Sequence, residues 1–406
     1  MALLLYCGAF PSAQQSTSSP PSSPSTSSQE TPENPRTQYP SYLANSYFGV
    51  SLGYIQYDFS SRQLEPGFQA GAIDVGHVAV RAALVGHEFS RYLSAQVTYL
   101  KPITYVFYKN VNGDLEGHNL FVHFGGATLV PRLPIGTRVS LYGEVGIGLT
   151  SRRTLLTDGG LAIRDTQYVS ATGGGGLDYH VNPSWDLTAG LTYYPARSEM
   201  LQPHTLFWSG GFRYTMRPLP QAKVEANRDA GFFFPVNLVQ AEYTTGVGYS
   251  VNDFVSKKVP VFWGGSIKVA QGVAGHYDRN VFHTRKVFAL DLGASASVWE
   301  SRADSQHFFT LSAYPLLRFT VVRTQPADFY VCYSLAGPTY ISQVTIDDRD
   351  TGHHFTFQDF MGIGAFIGAP RRFGVSLKIN HYSNGNIFTS NAGVKVPLTL
   401  GLSYAF

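Results

Sequence analysis

From Tyr47 onward this chain is a succession of strand-length segments in which apolar and polar residues alternate, broken by clusters of Gly, Pro, Asn and Asp. A period of two sends successive side chains to opposite faces of a strand, so each segment carries one apolar and one polar face. The stretch WDLTAGLTYY puts Trp185, Leu187, Ala189, Leu191 and Tyr193 on one face, and Asp186, Thr188, Gly190 and Thr192 on the other. In TLFWSGGFRYTM the apolar face is Leu206, Trp208, Phe212, Tyr214 and Met216, set against Thr205, Ser209, Gly211 and Arg213. A soluble sandwich would line its inner face with Val, Ile and Leu. Here the second face is small and polar, as in the interior of a small barrel with an apolar exterior.

Composition agrees. The 406 residues include 41 Gly, 28 Phe and 25 Tyr, with only 14 % charged residues, which suits strands in contact with an apolar surrounding. A net charge of +3 gives no argument for a nucleic-acid partner, and none is expected. Cys7 and Cys332 make no disulfide framework. No apolar run reaches the ~18 residues of a membrane-spanning helix. The opening MALLLYCGAFPSAQQ resembles a secretory signal over residues 1–15, although it lacks a basic start. A lipoprotein box at Cys7 is the weaker alternative, because Tyr6 is large for the position before a lipidated cysteine. Residues 16–44, rich in Ser, Thr and Pro, are expected to be a disordered tether.

The alternating segments fall into two sets of about eight, each segment near the length of a tilted membrane strand. The first set occupies 45–216 and the second 238–406, with RPLPQAKVEANRDAGFFFPVN, 217–237, as a linker. In the first set the third strand is expected over Leu93–Tyr108. The second set is expected to begin with Leu238–Ser250 and Val261–Gln271, leaving Gly272–Lys286 as a long turn or a bulged strand extension. The chain finishes TLGLSYAF, in which Thr399, Gly401, Tyr404 and Phe406 resemble the signal by which outer-membrane barrels engage their assembly machinery. Ser209, Gly211, Tyr214 and Met216 repeat that spacing. The expected fold is therefore all-β: two tandem antiparallel up-and-down transmembrane barrels of about eight strands each, rather than one barrel of sixteen.

One stripe breaks the pattern. In KINHYSNGN, His381 and Ser383 share strand parity with Val375, Leu377 and Ile379, while Lys378 holds the opposite parity. Lys378 on lipid would be expensive near the midplane, so its face is expected to be the lumen and His381 and Ser383 face lipid. The short connection Gly368–Arg372 marks a periplasmic turn, which sets His381 and Ser383 at the outer-leaflet end of their strand. On the preceding strand Asp359 interrupts an apolar stripe of Phe355, Phe357, Met361 and Ile363. Pairing through that turn brings Asp359 close to opposite His381 or Ser383. A lone polar residue where a strand leaves the bilayer is ordinary; a carboxylate, an imidazole and a hydroxyl converging there form a nucleophile–base–orienter set.

These residues resemble the PagL-type lipid A 3-O-deacylases, outer-membrane barrel esterases with a His-x-Ser pair on the barrel exterior. The resemblance spans about 238–406 and is strongest in FTFQDFMGIGAFIG, Phe355–Gly368, and GVSLKINHYSNGNIFTSNAG, Gly374–Gly393. It implies hydrolysis of the ester holding a hydroxyacyl chain on lipid A, with Ser383 as nucleophile, His381 as base and no metal or other cofactor. Asn384 matches the residue after the serine, and Asn391 with Gly393 match a downstream Asn-x-Gly expected to position substrate or donate to the oxyanion. The implied partners are lipid A or lipopolysaccharide as substrate, outer-membrane lipid, and the barrel assembly machinery. The family's acid, two residues past that glycine, is Lys395 here. Asp359 is expected to take its place, or else the acid is missing and the site is degenerate; Lys395 could then meet a lipid A phosphate.

Two rivals stand beside this esterase: a non-enzymatic pair of barrels serving as anchor, adhesin or narrow pore, and an esterase for another lipid such as a phospholipid. The first barrel resembles OmpA-like small barrels only in general character. Its histidines, His77, His87, His118, His123, His180 and His204, show no metal spacing.

Overall fold

A computed structural model describes residues 36–229, 232–258, 263, 265–388 and 390–406, with side chains described up to residue 255 of the segment ending at 258. The expected signal segment and the tether up to residue 35 lie outside the described residues. Residues 36–44 are held in place. Arg36 donates to Asn280 Oδ1 at 2.7 Å, and the Tyr39 and Tyr214 hydroxyls meet at 2.6 Å.

Two closed antiparallel eight-stranded barrels follow each other along the chain, as the alternation predicts. The first is built from β1 (Ser46–Tyr57), β2 (Val78–Ser90), β3 (Leu93–Pro102), β4 (Val122–Ile135), β5 (Val139–Arg152), β6 (Thr166–His180), β7 (Trp185–Tyr194) and β8 (Thr205–Thr215). The helix α1 (Gln221–Arg228) occupies the linker. The second comprises β9 (Asn237–Thr244), β10 (Ile267–His283), β11 (Phe288–Ser301), β12 (His307–Arg323), β13 (Ala327–Ile341), β14 (Phe355–Ile367), β15 (Phe373–Ser383) and β16 (Val394–Ala405). Closure comes from β1–β8 and β9–β16 pairing.

The faces sort as their chemistry demands. Leu52, Ile147, Leu187, Val273, Ile363 and Leu402 are among many apolar side chains exposed on the outside, a band that only lipid would cover. The lumens hold charge in pairs. Arg132 reaches Asp178 at 3.1 Å and Glu88 at 3.3 Å in the first barrel. In the second, Lys378 sits on the lumen face as its parity predicts, 2.7 Å from Glu242, whose carboxylate also lies 3.3 Å from His276.

Three expected strands end differently. The stretch 93–108 breaks after Pro102; Val106–Val111 instead joins Ala70–Asp74 and Asp114–Leu120 in a separate sheet. That sheet and the hairpin 155–163 close the outer mouth of the first barrel over an apolar plug including Tyr57, Val106, Tyr108, Leu120 and Ile163. The segment 238–250 leaves the wall after Thr244. Gly246 and Gly248, at φ of 76° and 81°, let the chain turn out into a helix, α2 (Tyr249–Lys258). Finally, 272–283 is the bulged strand extension and not the long turn: it continues the strand expected to end at Gln271 and forms most of β10, whose register shifts against β11 between Asn280 and Phe282. Its many polar residues misled because this face looks into a charged lumen.

The Lys378–Glu242 pair is buried on both sides. Lys378→Met alone leaves a buried carboxylate with a lost partner and should cost roughly 3–5 kcal/mol. The double variant with Glu242→Met should recover most of that loss. Urea midpoints for the compact, heat-modifiable form measure both.

Candidate functional site

The turn Gly368–Arg372 sets the register of β14 against β15, and that register puts Asp359 directly opposite His381 and Phe357 opposite Ser383. On the other flank β16 places Lys395 opposite His381. Directly paired residues on one face have Cβ atoms about 4.5–5.5 Å apart, so the imidazole stands between a carboxylate and an ammonium stem. Ser383 follows His381 on the same face and is half-buried. Asp359 Oδ1 accepts the Ala336 N–H at 2.5 Å. That donor is available because β13 bulges there: the register shifts between Ser334 and Gly337, and Ala336 has φ of 35°.

The loop after Ser383 is tied by its asparagines. Asn384 Nδ2 donates to the carbonyls of Thr351 at 2.8 Å and Ser390 at 2.6 Å, and its N–H donates to Asn391 Oδ1 at 3.0 Å. Asn391 Nδ2 in turn donates to Asn386 Oδ1 at 2.9 Å. Both side-chain amides expected to face substrate are thus engaged by loop atoms in this conformation, Asn391 within its own loop and Asn384 also by the connection before β14. Gly393 accepts the Ile267 N–H at 3.2 Å through its carbonyl, where the chain enters β10.

Residues 271–404 match the family described as lipid A 3-O-deacylase (PagL). Over that span the second barrel is similar to the PagL family. Among solved structures, the outer membrane enzyme PagL aligns with 42 % of this chain and 99 % of its own length, at 15 % identity and a TM-score of 0.30. Neisserial surface protein A (NspA) covers 42 % of this chain and 97 % of itself, at 17 % identity and 0.28. Ail of Yersinia pestis, solved with a heparin analogue, covers 42 % and 99 %, at 16 % identity and 0.28. Likenesses this distant carry no weight for function. No curated protein matches the chain in sequence. With a PagL-type barrel and an apolar outer band, this is an outer-membrane protein.

The PagL-type barrel has a cover that its strand pattern did not announce. Between β9 and β10 the helix α2 lies on the barrel exterior, against β16 and β15. Asn252 and Val255 face the barrel, whereas Val251 and Phe254 face outward, Phe254 being 62 % exposed. Asn252 Nδ2 donates to the carbonyls of Val396 at 3.0 Å and Asn380 at 3.4 Å, beside a register shift in the β15–β16 ladder. The Trp263 ring stacks on His381, centroids 5.6 Å apart and planes within 14°, and packs with Val255 and Ile379. As a result His381 is 1 % exposed. Lys395, at the position where the family has its acid, reaches Asp253 of α2 at 3.0 Å. The sequence signal for α2 was present in the three- and four-residue spacing of Val251, Phe254 and Val255.

A second serine–histidine–aspartate string exists in the first barrel. Ser140 Oγ lies 2.8 Å from His180 Nε2, and His180 Nδ1 lies 2.6 Å from Asp186 Oδ1. Ser140 is only 2 % exposed and Asp186 is also bound by Arg213, so this string ties three strands at the periplasmic rim and offers no face to an ester.

The Asp253–Lys395 pair is partly exposed and worth about 0.2–1 kcal/mol. Asp253→Asn and Lys395→Met should each speed protease cleavage within 245–266 on intact cells by a few-fold. The double variant should cleave no faster than either single one, as timed digestion would register.

Proposed function

We propose that the second barrel is an outer-membrane esterase that removes an ester-linked hydroxyacyl chain from lipid A. Ser383 is the nucleophile, His381 the general base and Asp359 the group that orients the imidazole. The observation that carries this assignment is the β14–β15 register, with Asp359 opposite His381 and Ser383 next along the same exterior face.

In the first step His381 accepts the Ser383 proton as Oγ bonds to the ester carbonyl carbon. His381 then passes that proton to the departing sugar oxygen, leaving the acyl group on Ser383. Water, deprotonated by the same imidazole, releases the hydroxy fatty acid and regenerates the serine. The Ala336 N–H fixes Asp359 through Oδ1, and we assign Oδ2 to the imidazole N–H. For the oxyanion we assign the N–H groups of Gly385 and Asn386, which have no acceptor among the described residues; Asn384 and Asn391 hold that loop in shape. Substrate arrives by lateral diffusion in the outer leaflet, so the site needs no deep cleft, but the Trp263 cover must swing aside.

The competing assignment, a non-catalytic double barrel, draws its support from Lys395 at the acid position and from the cover over His381. Mass spectrometry of lipid A from cells expressing the chain separates the two. The parent should remove one hydroxyacyl chain; Ser383→Ala and His381→Ala should leave lipid A at full mass. Asp359→Asn should slow the reaction by about 1,000-fold or more, since an unoriented imidazole is a poor base. Lipid A unchanged by the parent would rule out deacylation, and a full-speed Asp359→Asn would remove Asp359 from the mechanism alone.

A further inference from the structure

We propose that the first barrel is a working part of the ester-hydrolysing site, with Arg153 as a positioning residue for the loop that carries the oxyanion donors. This rests on the functional assignment above and gives the first barrel a role in it.

Arg153 lies just past the outer end of β5, where its N–H donates to the Phe121 carbonyl at 2.9 Å. Its guanidinium crosses to the second barrel. Nε and Nη2 donate to Asn386 Oδ1 at 3.1 and 2.7 Å, and Nη2 also donates to the Asn391 carbonyl at 2.9 Å. Two neighbours reinforce the contact. The His123 ring lies 3.2 Å from Asn386 Nδ2, and the Tyr99 hydroxyl donates to the Gly385 carbonyl at 3.2 Å. Tyr99 and His123 stack with centroids 6.0 Å apart. Three side chains of the first barrel thus grip Gly385, Asn386 and Asn391 of one loop.

That loop needs an outside hold. Residues 384–393 read NGNIFTSNAG, with Ile387 and Phe388 as its large apolar side chains. Asn386 adopts φ of 60°, a left-handed conformation that asparagine tolerates without preferring it. Its carboxamide oxygen accepts from Arg153 and from Asn391, and Asn391 Oδ1 accepts the Asn384 N–H beside Ser383. A continuous path of hydrogen bonds therefore runs from the first barrel to the residue next to the nucleophile. Oxyanion donors act by being fixed before charge develops, so loosening this path acts on the chemical step more than on substrate capture.

The full chain, in outer membranes, provides the test with lipid A as substrate. Arg153→Ala should lower kcat by about 10- to 100-fold with KM little changed, as a small displacement of catalytic groups does. Arg153→Lys should recover part of the rate, and Arg153→Ala with Asn386→Ala should be no slower than the worse single variant. Heat-modifiable migration verifies that each variant retains its barrels. Independently of activity, Arg153→Cys with Asn386→Cys should be joined by a short bis-thiosulfonate, holding the halves together after cleavage in the 217–237 linker. An active parent with a full-speed Arg153→Ala, a loss seen only in KM, or halves that never crosslink would overturn the positioning role and leave the esterase standing. An inactive parent overturns the esterase assignment and this role with it.

Discussion

Closure of the hydrogen-bond ladder is the constraint on which the rest depends. In hydrocarbon an unpaired backbone N–H or C=O costs several kcal/mol, roughly, so each sheet must end on itself. The second barrel meets this condition in an unusual way. Strand β9 stops at Thr244, too short to pair with β16 along its whole height. Above it β10 and β16 pair directly and in parallel, Ile267 with Val394 and Lys268 with Lys395. With the wall sealed in this manner, α2 has no place in it and is laid outside. The cover over His381 is thus a consequence of where one strand stops.

Alternation then assigns every side chain to lipid or lumen, and the site is a local exception. Charged lumen residues pair with one another, as Lys378 does with Glu242. Asp359 and His381 lie on the outer face, where nothing polar is ordinarily tolerated. They persist because the chain itself shields them: the Ala336 N–H binds the carboxylate, Trp263 covers the imidazole, and α2 turns Val251 and Phe254 outward. On the proposed esterase assignment, the segment that shields this face from lipid is also the one a lipid substrate would have to displace. Lys395 fits this arrangement as the anchor of α2 through Asp253.

The two barrels are tied at both ends. At the periplasmic end, residues 36–39 bond to Asn280 in one and Tyr214 in the other. At the outer end, Arg153, His123 and Tyr99 hold the loop after Ser383.

Much of this was legible in the residues. Strand parity alone put Lys378 in the lumen and His381 with Ser383 on the lipid side, since a period of two leaves no third choice. The length of GAPRR marked the turn, and the turn brought Asp359 close to opposite His381 or Ser383; the folded register chose His381. What the sequence could not decide was where a strand stops being wall. Residues 249–258 carry a helical spacing in Val251, Phe254 and Val255, but where that helix lies is set by Asn252 and Val255 meeting the β15–β16 surface. The approach of Arg153 to Asn386, 233 positions apart, is likewise set by how two closed surfaces meet. Local pattern determines faces and pairing, because those depend on neighbours a few residues away; the cover and the bridge depend on packing between distant segments, which only the folded chain brings together.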